Sequence, residues 1–120
     1  MKGLMSKSPH VENILAGKKT WDIRGSNTKI RGEIALIKSG SGTVVGTCEV
    51  VDVIGPLEFS ELEPNIDKHC VSEDQLERAF GKYKKLYAWV LGNAVALPSP
   101  VDYSHPNGAI IWVNLDDNII

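Results

Sequence analysis

Most residues that could carry chemistry lie in one short stretch, residues 17–25, which reads Gly-Lys-Lys-Thr-Trp-Asp-Ile-Arg-Gly. The stretch places two lysines, an indole, a carboxylate and a guanidinium along a predicted strand. Charged side chains are costly to bury unless they are paired or bind something. A strand that only filled a core would rarely carry so many charges, so we predict that the functional site lies here.

The charged residues of this stretch each have two interpretations. Lys19 is either a solvated lysine at a strand edge or a phosphate contact that, if partly desolvated, becomes a base or nucleophile. Asp22 and Arg24 are predicted to share one strand face, because side chains alternate along a strand. They either form a salt bridge that closes one rim of the fold, or Asp22 orients the Arg24 fork toward a phosphate or base edge.

The tryptophans could fill a core or stack on a base. Trp21 should share a strand face with Ile23, which suits a core, but an indole between lysine and arginine also suits base stacking with backbone neutralisation. Trp89 and Trp112 lie inside apolar runs. We interpret Trp112 as a core residue and leave both roles open for Trp89.

Patterns for cofactors and metals are absent from the sequence. It contains no P-loop, no dinucleotide-binding fingerprint and no zinc-ligand spacing, so we predict neither a cofactor nor a metal. Cys48 and Cys70 are far apart and are predicted to be reduced thiols. The three histidines are scattered and are expected at surface or capping positions; of these, His10 should lie closest to residues 17–25.

The bulk composition indicates one globular domain. The chain has 120 residues, of which 42% are hydrophobic and 23% charged. We predict a single domain over residues 1–115 and a C-terminal tail over residues 116–120. The net charge of −2 argues against a protein that coats nucleic acid broadly. Without an apolar leader or a membrane-length run, we expect a cytoplasmic protein that does not bind membranes; the oligomeric state stays open.

The predicted elements are mostly strands. One helix should begin at Ser8-Pro9, with Ser8 as N-cap, and end at Gly17. A second should follow a capping box at Ser72 and end at Gly81. Strands are predicted over residues 3–7, 19–24, 33–38, 43–54, 86–97 and 109–115.

Glycines and prolines are expected to interrupt these strands. Gly46 is a predicted bulge, Gly55-Pro56 should end the fourth strand, and Gly92-Asn93 should interrupt the fifth. Strands outnumber helices and do not alternate with them. The predicted class is therefore α+β, mainly β: a small mixed or antiparallel β-barrel with two or three short helices over its openings.

Residues 15–24, Leu-Ala-Gly-Lys-Lys-Thr-Trp-Asp-Ile-Arg, resemble the signature of the ASCH domain family, a branch of the PUA-like superfamily. That signature is a helix ending in glycine, a lysine, and a strand with an acidic residue and an arginine. Residues 4–9, the hairpin around Gly40 and residues 109–113 are also similar. The resemblance implies a PUA-like barrel whose cleft, lined by the first helix and the motif strand, binds RNA or a modified nucleoside. The expected ligand-binding residues are Lys7, Ser8, His10, Lys19, Trp21, Asp22, Arg24, Ser26, Asn27 and Trp89.

An alternative activity comes from distant similarity to one branch of the family, the bacterial acetylcytidine amidohydrolases. In that branch a lysine after the glycine, a threonine three positions on and a glutamate from a later helix carry the reaction. Lys19 matches the lysine, Asp22 stands in place of the threonine, and Glu73 could match the glutamate. The alternatives to a binding protein are thus a small amidohydrolase of acylated cytidine, or a ribonuclease, with Lys19 as base or nucleophile.

Overall fold

The computed structural model describes all residues from 1 to 120 and contains one six-stranded sheet. The strand order is β2-β5-β4-β3-β1-β6, in which β1 runs parallel to β3 and all other neighbours are antiparallel. The strands are β1 (Lys2–Ser6), β2 (Trp21–Arg24), β3 (Gly32–Lys38), β4 (Thr43–Leu57), β5 (Leu86–Asp102) and β6 (Trp112–Asn114).

The helices are short. They are α1 (His10–Leu15), α2 (Phe59–Leu62), α3 (Ile66–His69) and α4 (Glu73–Tyr83), with a single 3₁₀ turn at Glu63–Asn65. A helix of so few residues is stable only when it packs on the rest of the fold. The buried residues of α1 are Val11 and Ile14, which join the main core cluster. No helix is both long enough and apolar enough to cross a membrane.

The sheet curls on itself. Trp89 of β5 stacks on Trp112 of β6 with ring centroids 5.6 Å apart, although three strands separate β5 from β6 in the sheet order. The Arg24 side chain of β2 donates to the Met5 main-chain oxygen of β1 over 2.8 Å. Strands toward opposite ends of the sheet therefore meet. The six strands of one sheet, together with the short helices, confirm the predicted α+β, mainly β class.

Three apolar clusters stabilise this arrangement. The largest lies inside the curl, between α1 and strands β1, β3, β4 and β5. A second lies outside β5, between the sheet and helices α2 and α4, and Trp21 and Ile23 pack against it. The third lies between β1, β3, β4 and β6, and Ile119 packs on it. The tail is held further because the Met1 amino group donates to Asp117 Oδ1 over 2.9 Å.

Two helix ends differ from their predictions. The first helix begins at His10 with Pro9 as N-cap, because the Ser8 hydroxyl donates to the Glu12 carboxylate over 2.6 Å and leaves the helix N–H groups uncapped. Its predicted stop at Gly17, φ +76°, is confirmed. The capping box at Ser72 is also confirmed. However, α4 continues past Gly81 to Tyr83, and Lys84, with φ +66°, ends it.

Strand lengths also differ. β4 continues through Gly55-Pro56 to Leu57, and β5 runs without a break to Asp102, because register shifts absorb the irregular residues and preserve the pairing. The bulge at Gly46 is confirmed by a shift between Val44 and Gly46. The last strand is only three residues long.

Candidate functional site

Residues 17–25 are fixed on both sides by main-chain hydrogen bonds. The Lys19 N–H donates to Asn13 O of α1 over 3.0 Å, and the Thr20 N–H donates to Lys68 O of α3 over 2.9 Å. Leu91 N–H then donates to Thr20 O over 2.8 Å, and β2 pairs with β5 from that point onward. The stretch is therefore a rigid connection between α1, α3 and the sheet.

Lys19 is buried, with only 2% of its surface exposed. Its ammonium donates a hydrogen bond to the His69 main-chain oxygen at the end of α3. Burial lowers the pKa of Lys19, and the nearby Asp22 carboxylate opposes that shift. The interpretation of Lys19 as a solvated lysine at a strand edge is thus wrong, and its role as a phosphate contact, base or nucleophile stays a prediction.

Asp22 and Arg24 form an ion pair on one face of β2. Arg24 Nε donates to Asp22 Oδ2 over 2.7 Å, and the Arg24 and Asp22 side chains are 20% and 6% exposed. The second Asp22 oxygen accepts no protein hydrogen bond. Arg24 Nη2 also donates to Met5 O, so the pair joins β2 to β1. This agrees with the interpretation of the two residues as a salt bridge that closes one rim of the fold. Arg24 Nη1 has no protein partner and is available to a ligand.

His10 belongs to the same electrostatic cluster. Burial lowers its pKa, Lys19 and Arg24 lower it further, and Asp22 raises it. Its Nδ1 is the one buried side-chain nitrogen or oxygen that has no hydrogen-bond partner. A neutral imidazole therefore lies beside two basic side chains, Lys19 and Arg24, and one carboxylate, Asp22.

A cavity of about 210 Å³ adjoins Lys19. It lies between the C-terminal half of α1 and a bend in β5, and we call it the Lys19 cavity. Apolar and polar side chains share its wall, which suits a planar heterocycle with a polar edge. The lining residues are Ile14, Gly17, Lys19, Thr20, Leu91, Gly92, Asn93 and Ala94.

The two tryptophans predicted as ligand contacts lie elsewhere. Trp89 is 1% exposed, stacks on Trp112, has the Arg24 guanidinium 5.4 Å from its ring and donates to Ser26 O over 2.9 Å. No ring face of Trp89 is left for a base, so its predicted stacking role is wrong. Trp21 lies on the opposite face of β2 from the ion pair, where Lys68 covers its ring at 4.9 Å.

The other predicted ligand residues are exposed near the ends of the neighbouring elements. Lys7 and Ser8 lie between β1 and α1, and Ser26 and Asn27 follow β2. The Asn27 side chain accepts from the Thr28 N–H over 2.7 Å. None of them lines the Lys19 cavity.

Glu73 is not joined to the cluster. It is exposed in the first turn of α4, where a carboxylate suits the positive end of the helix dipole. It makes no hydrogen bond or ion pair with Lys19 or Asp22. No group of three or more histidine, cysteine, aspartate or glutamate side chains is placed to hold a metal ion.

Asn93 is a site residue that the sequence analysis missed. It has φ +51°, lines the Lys19 cavity and donates from Nδ2 to Glu49 Oε2 over 2.9 Å. The signal available was the Gly92-Asn93 pair, which we predicted as an interruption of a strand. Asparagine tolerates the left-handed conformation, so the pair marks a bend that presents a side chain to a neighbouring space.

Comparison with known proteins gives one family and one fold. The ASCH domain family matches residues 4–100. Three solved structures from Zymomonas mobilis, an ASCH protein and two of its point mutants, are similar with TM-scores of 0.77, 0.76 and 0.75. Each is 15% identical in sequence to this chain, and the matched region covers 97% of this chain. It covers 87%, 90% and 88% of the three solved chains, in the same order. At that identity the likeness shows the fold alone. A search of curated proteins found no match.

Proposed function

We propose that this chain, which belongs to the ASCH domain family, binds RNA or a modified nucleoside in the cleft along residues 17–25. ASCH domains are generally associated with RNA binding, which makes RNA the first partner to test. The observation that carries the proposal is the pairing of two largely buried cations, Lys19 and Arg24, with only one carboxylate, Asp22, beside a cavity.

The charge balance supports an anionic or electron-rich ligand. Removing charges from water costs several kcal/mol per ion, and the cost is recovered only when each charge has a partner. Asp22 compensates one cation, while Lys19 has only a main-chain oxygen. A bound nucleotide would supply the missing acceptors: base atoms for Lys19, and a phosphate for Arg24 Nη1 and the exposed Lys7.

The size of the Lys19 cavity supports a single base. Its volume of about 210 Å³ is below the roughly 300–1,000 Å³ of pockets that hold drug-sized ligands. One heterocycle would fill it, with sugar and phosphate outside. Because no tryptophan ring is free at this position, the base would pack on Ile14, Leu91 and Ala94.

The test is binding of single-stranded RNA to the wild type and to Lys19→Met. Loss of a hydrogen bond to a charged group is worth about 1.5–3 kcal/mol, so we expect affinity to fall at least about tenfold. Lys85→Met, at an exposed position after α4, is the matched control and should bind as the wild type does. Equal affinity of wild type and Lys19→Met would refute the proposed site.

A second candidate is hydrolysis of an acylated cytidine nucleoside. The lowered pKa of Lys19 favours it, because a desolvated amine is more often neutral and can then act as base or nucleophile. Asp22 would orient water, although Arg24 holds one of its oxygens. Glu73 would have to move to take part.

Two assays test the catalytic alternatives. Acylated nucleosides are incubated with the wild type and with Lys19→Ala; if Lys19 acts in the reaction, turnover disappears in the variant. Turnover that persists removes Lys19 from the mechanism, and no turnover by the wild type rejects the amidohydrolase. A labelled single-stranded RNA, analysed for cleavage by the same two proteins, tests the ribonuclease.

A further inference from the structure

Asn93 is an exposed residue at the edge of the Lys19 cavity, and a hydrogen bond to Glu49 sets the orientation of its amide. Its Nδ2 lies 2.9 Å from Glu49 Oε2. A carboxylate can only accept hydrogen bonds, so the amide nitrogen, and not the amide oxygen, must face Glu49. The Asn93 oxygen is therefore directed away from Glu49, and no protein group donates a hydrogen bond to it.

The backbone fixes Asn93 as well. Its φ of +51° is a conformation that asparagine adopts more readily than most residues. The register of β5 against β4 shifts at this position, since Glu49 lies opposite Gly92 and Thr47 lies opposite Val95. The bend places Asn93 in the cavity wall, and its amide oxygen accepts no hydrogen bond from the protein.

We propose that Asn93 selects bases carrying an exocyclic amino group, such as cytosine and adenine, over their keto counterparts. This inference rests on the proposed function. The base amino group would donate to Asn93 Oδ1, while Lys19, a donor on the same cavity wall, would face a ring nitrogen or carbonyl acceptor.

A keto base is disfavoured for a definite reason. Its carbonyl oxygen would lie against the Asn93 oxygen, so two acceptors would meet without a proton between them. A flip of the Asn93 amide would relieve this contact only by breaking its hydrogen bond to Glu49 and setting its oxygen against the Glu49 carboxylate. Good polar pairing with a base edge is worth about 1–3 kcal/mol of discrimination, which predicts roughly tenfold preference for the amino base.

The test uses two pairs of nucleotides that differ in this group, CMP with UMP and AMP with IMP, titrated by calorimetry. We expect about tenfold tighter binding of CMP than UMP and of AMP than IMP. Glu49→Gln keeps the shape of the side chain but can donate as well as accept, so Asn93 is free to flip. In this variant the preference should fall below about threefold.

The control is Glu33→Gln, which removes the same charge from the residue directly opposite Glu49 on β3 without touching Asn93. It should keep the wild-type preference. Equal binding of both members of each pair by the wild type would overturn this inference and leave the proposed function intact. A preference that survives Glu49→Gln would also overturn it. No binding of any nucleotide or RNA would refute the proposed function and this inference together.

Discussion

The Asp22–Arg24 ion pair is expected to hold β2 against β1, and Asp22→Asn tests this. The two side chains are only 6% and 20% exposed, so solvent screens the pair weakly. Removing one partner of a buried pair costs about 3–5 kcal/mol, because the other charge stays buried without compensation. Asparagine still offers an oxygen to Arg24 Nε, which places the expected loss at the low end, about 3 kcal/mol. For a domain of this size that corresponds to a melting temperature lower by roughly 10 °C.

The assay is urea unfolding followed by tryptophan fluorescence and circular dichroism. The matched control is Asp52→Asn, because the Arg31–Asp52 pair is 4.0 Å long with side chains 43% and 62% exposed. Exposed pairs contribute about 0–1 kcal/mol, so the control should change the free energy of unfolding by less than about 1 kcal/mol. If Asp22→Asn is no more destabilising than Asp52→Asn, the ion pair does not close the rim.

Three further outcomes follow from buried groups. Burial lowers the pKa of His69, whose Nδ1 accepts from the Val71 N–H over 2.9 Å; below about pH 6.5 the unfolded chain thus binds a proton that the folded chain excludes. As the pH falls below that value, the free energy of unfolding should decrease by up to about 1.4 kcal/mol per pH unit. Urea unfolding curves that stay the same from about pH 7.5 to pH 5.0 would contradict this. Burial raises the pKa of Cys48 to about 12, so iodoacetamide should label half-buried Cys70 and spare Cys48 in the folded protein, as mass spectrometry of the alkylated peptides would show. Gly46→Ala would place a methyl group 2.6 Å from a main-chain oxygen of β5 and should cost about 1–3 kcal/mol; a melting temperature equal to that of the wild type would refute the predicted clash.

Local patterns predicted much of the fold. The positive φ required at Gly17, the capping box at Ser72 and the bulge at Gly46 each depend on a few neighbouring residues, and all three are confirmed. The strand ends predicted at Gly55-Pro56 and at residue 97 were wrong, because pairing of β4 with β5 over most of their length outweighs the local tendency to break. Such long-range pairing cannot be derived from a short window of sequence.

The sequence predicted which charged residues pair in the candidate site, but not which of its side chains are buried. Alternation along β2 placed Asp22 and Arg24 together, and the ion pair confirms that prediction. Alternation does not predict the tertiary contacts of either strand face. The sequence therefore could not show that Lys19 is buried against the end of α3, or that Trp112 stacks on the ring of Trp89. Asn93 was missed because its role depends on Glu49, which lies 44 positions away in sequence.

The central claim is that the ligand occupies the Lys19 cavity and the cleft beside it, and an NMR titration tests it most directly. Single-stranded RNA is added to isotopically labelled protein, and amide shifts are followed along the chain. The account predicts that the largest changes fall on residues 17–25 and 91–94. Changes confined to a different surface hollow, of about 380 Å³ and lined by Asp102, Tyr103, Ser104, Leu115, Asp116 and Ile119, or no changes at all, would contradict it.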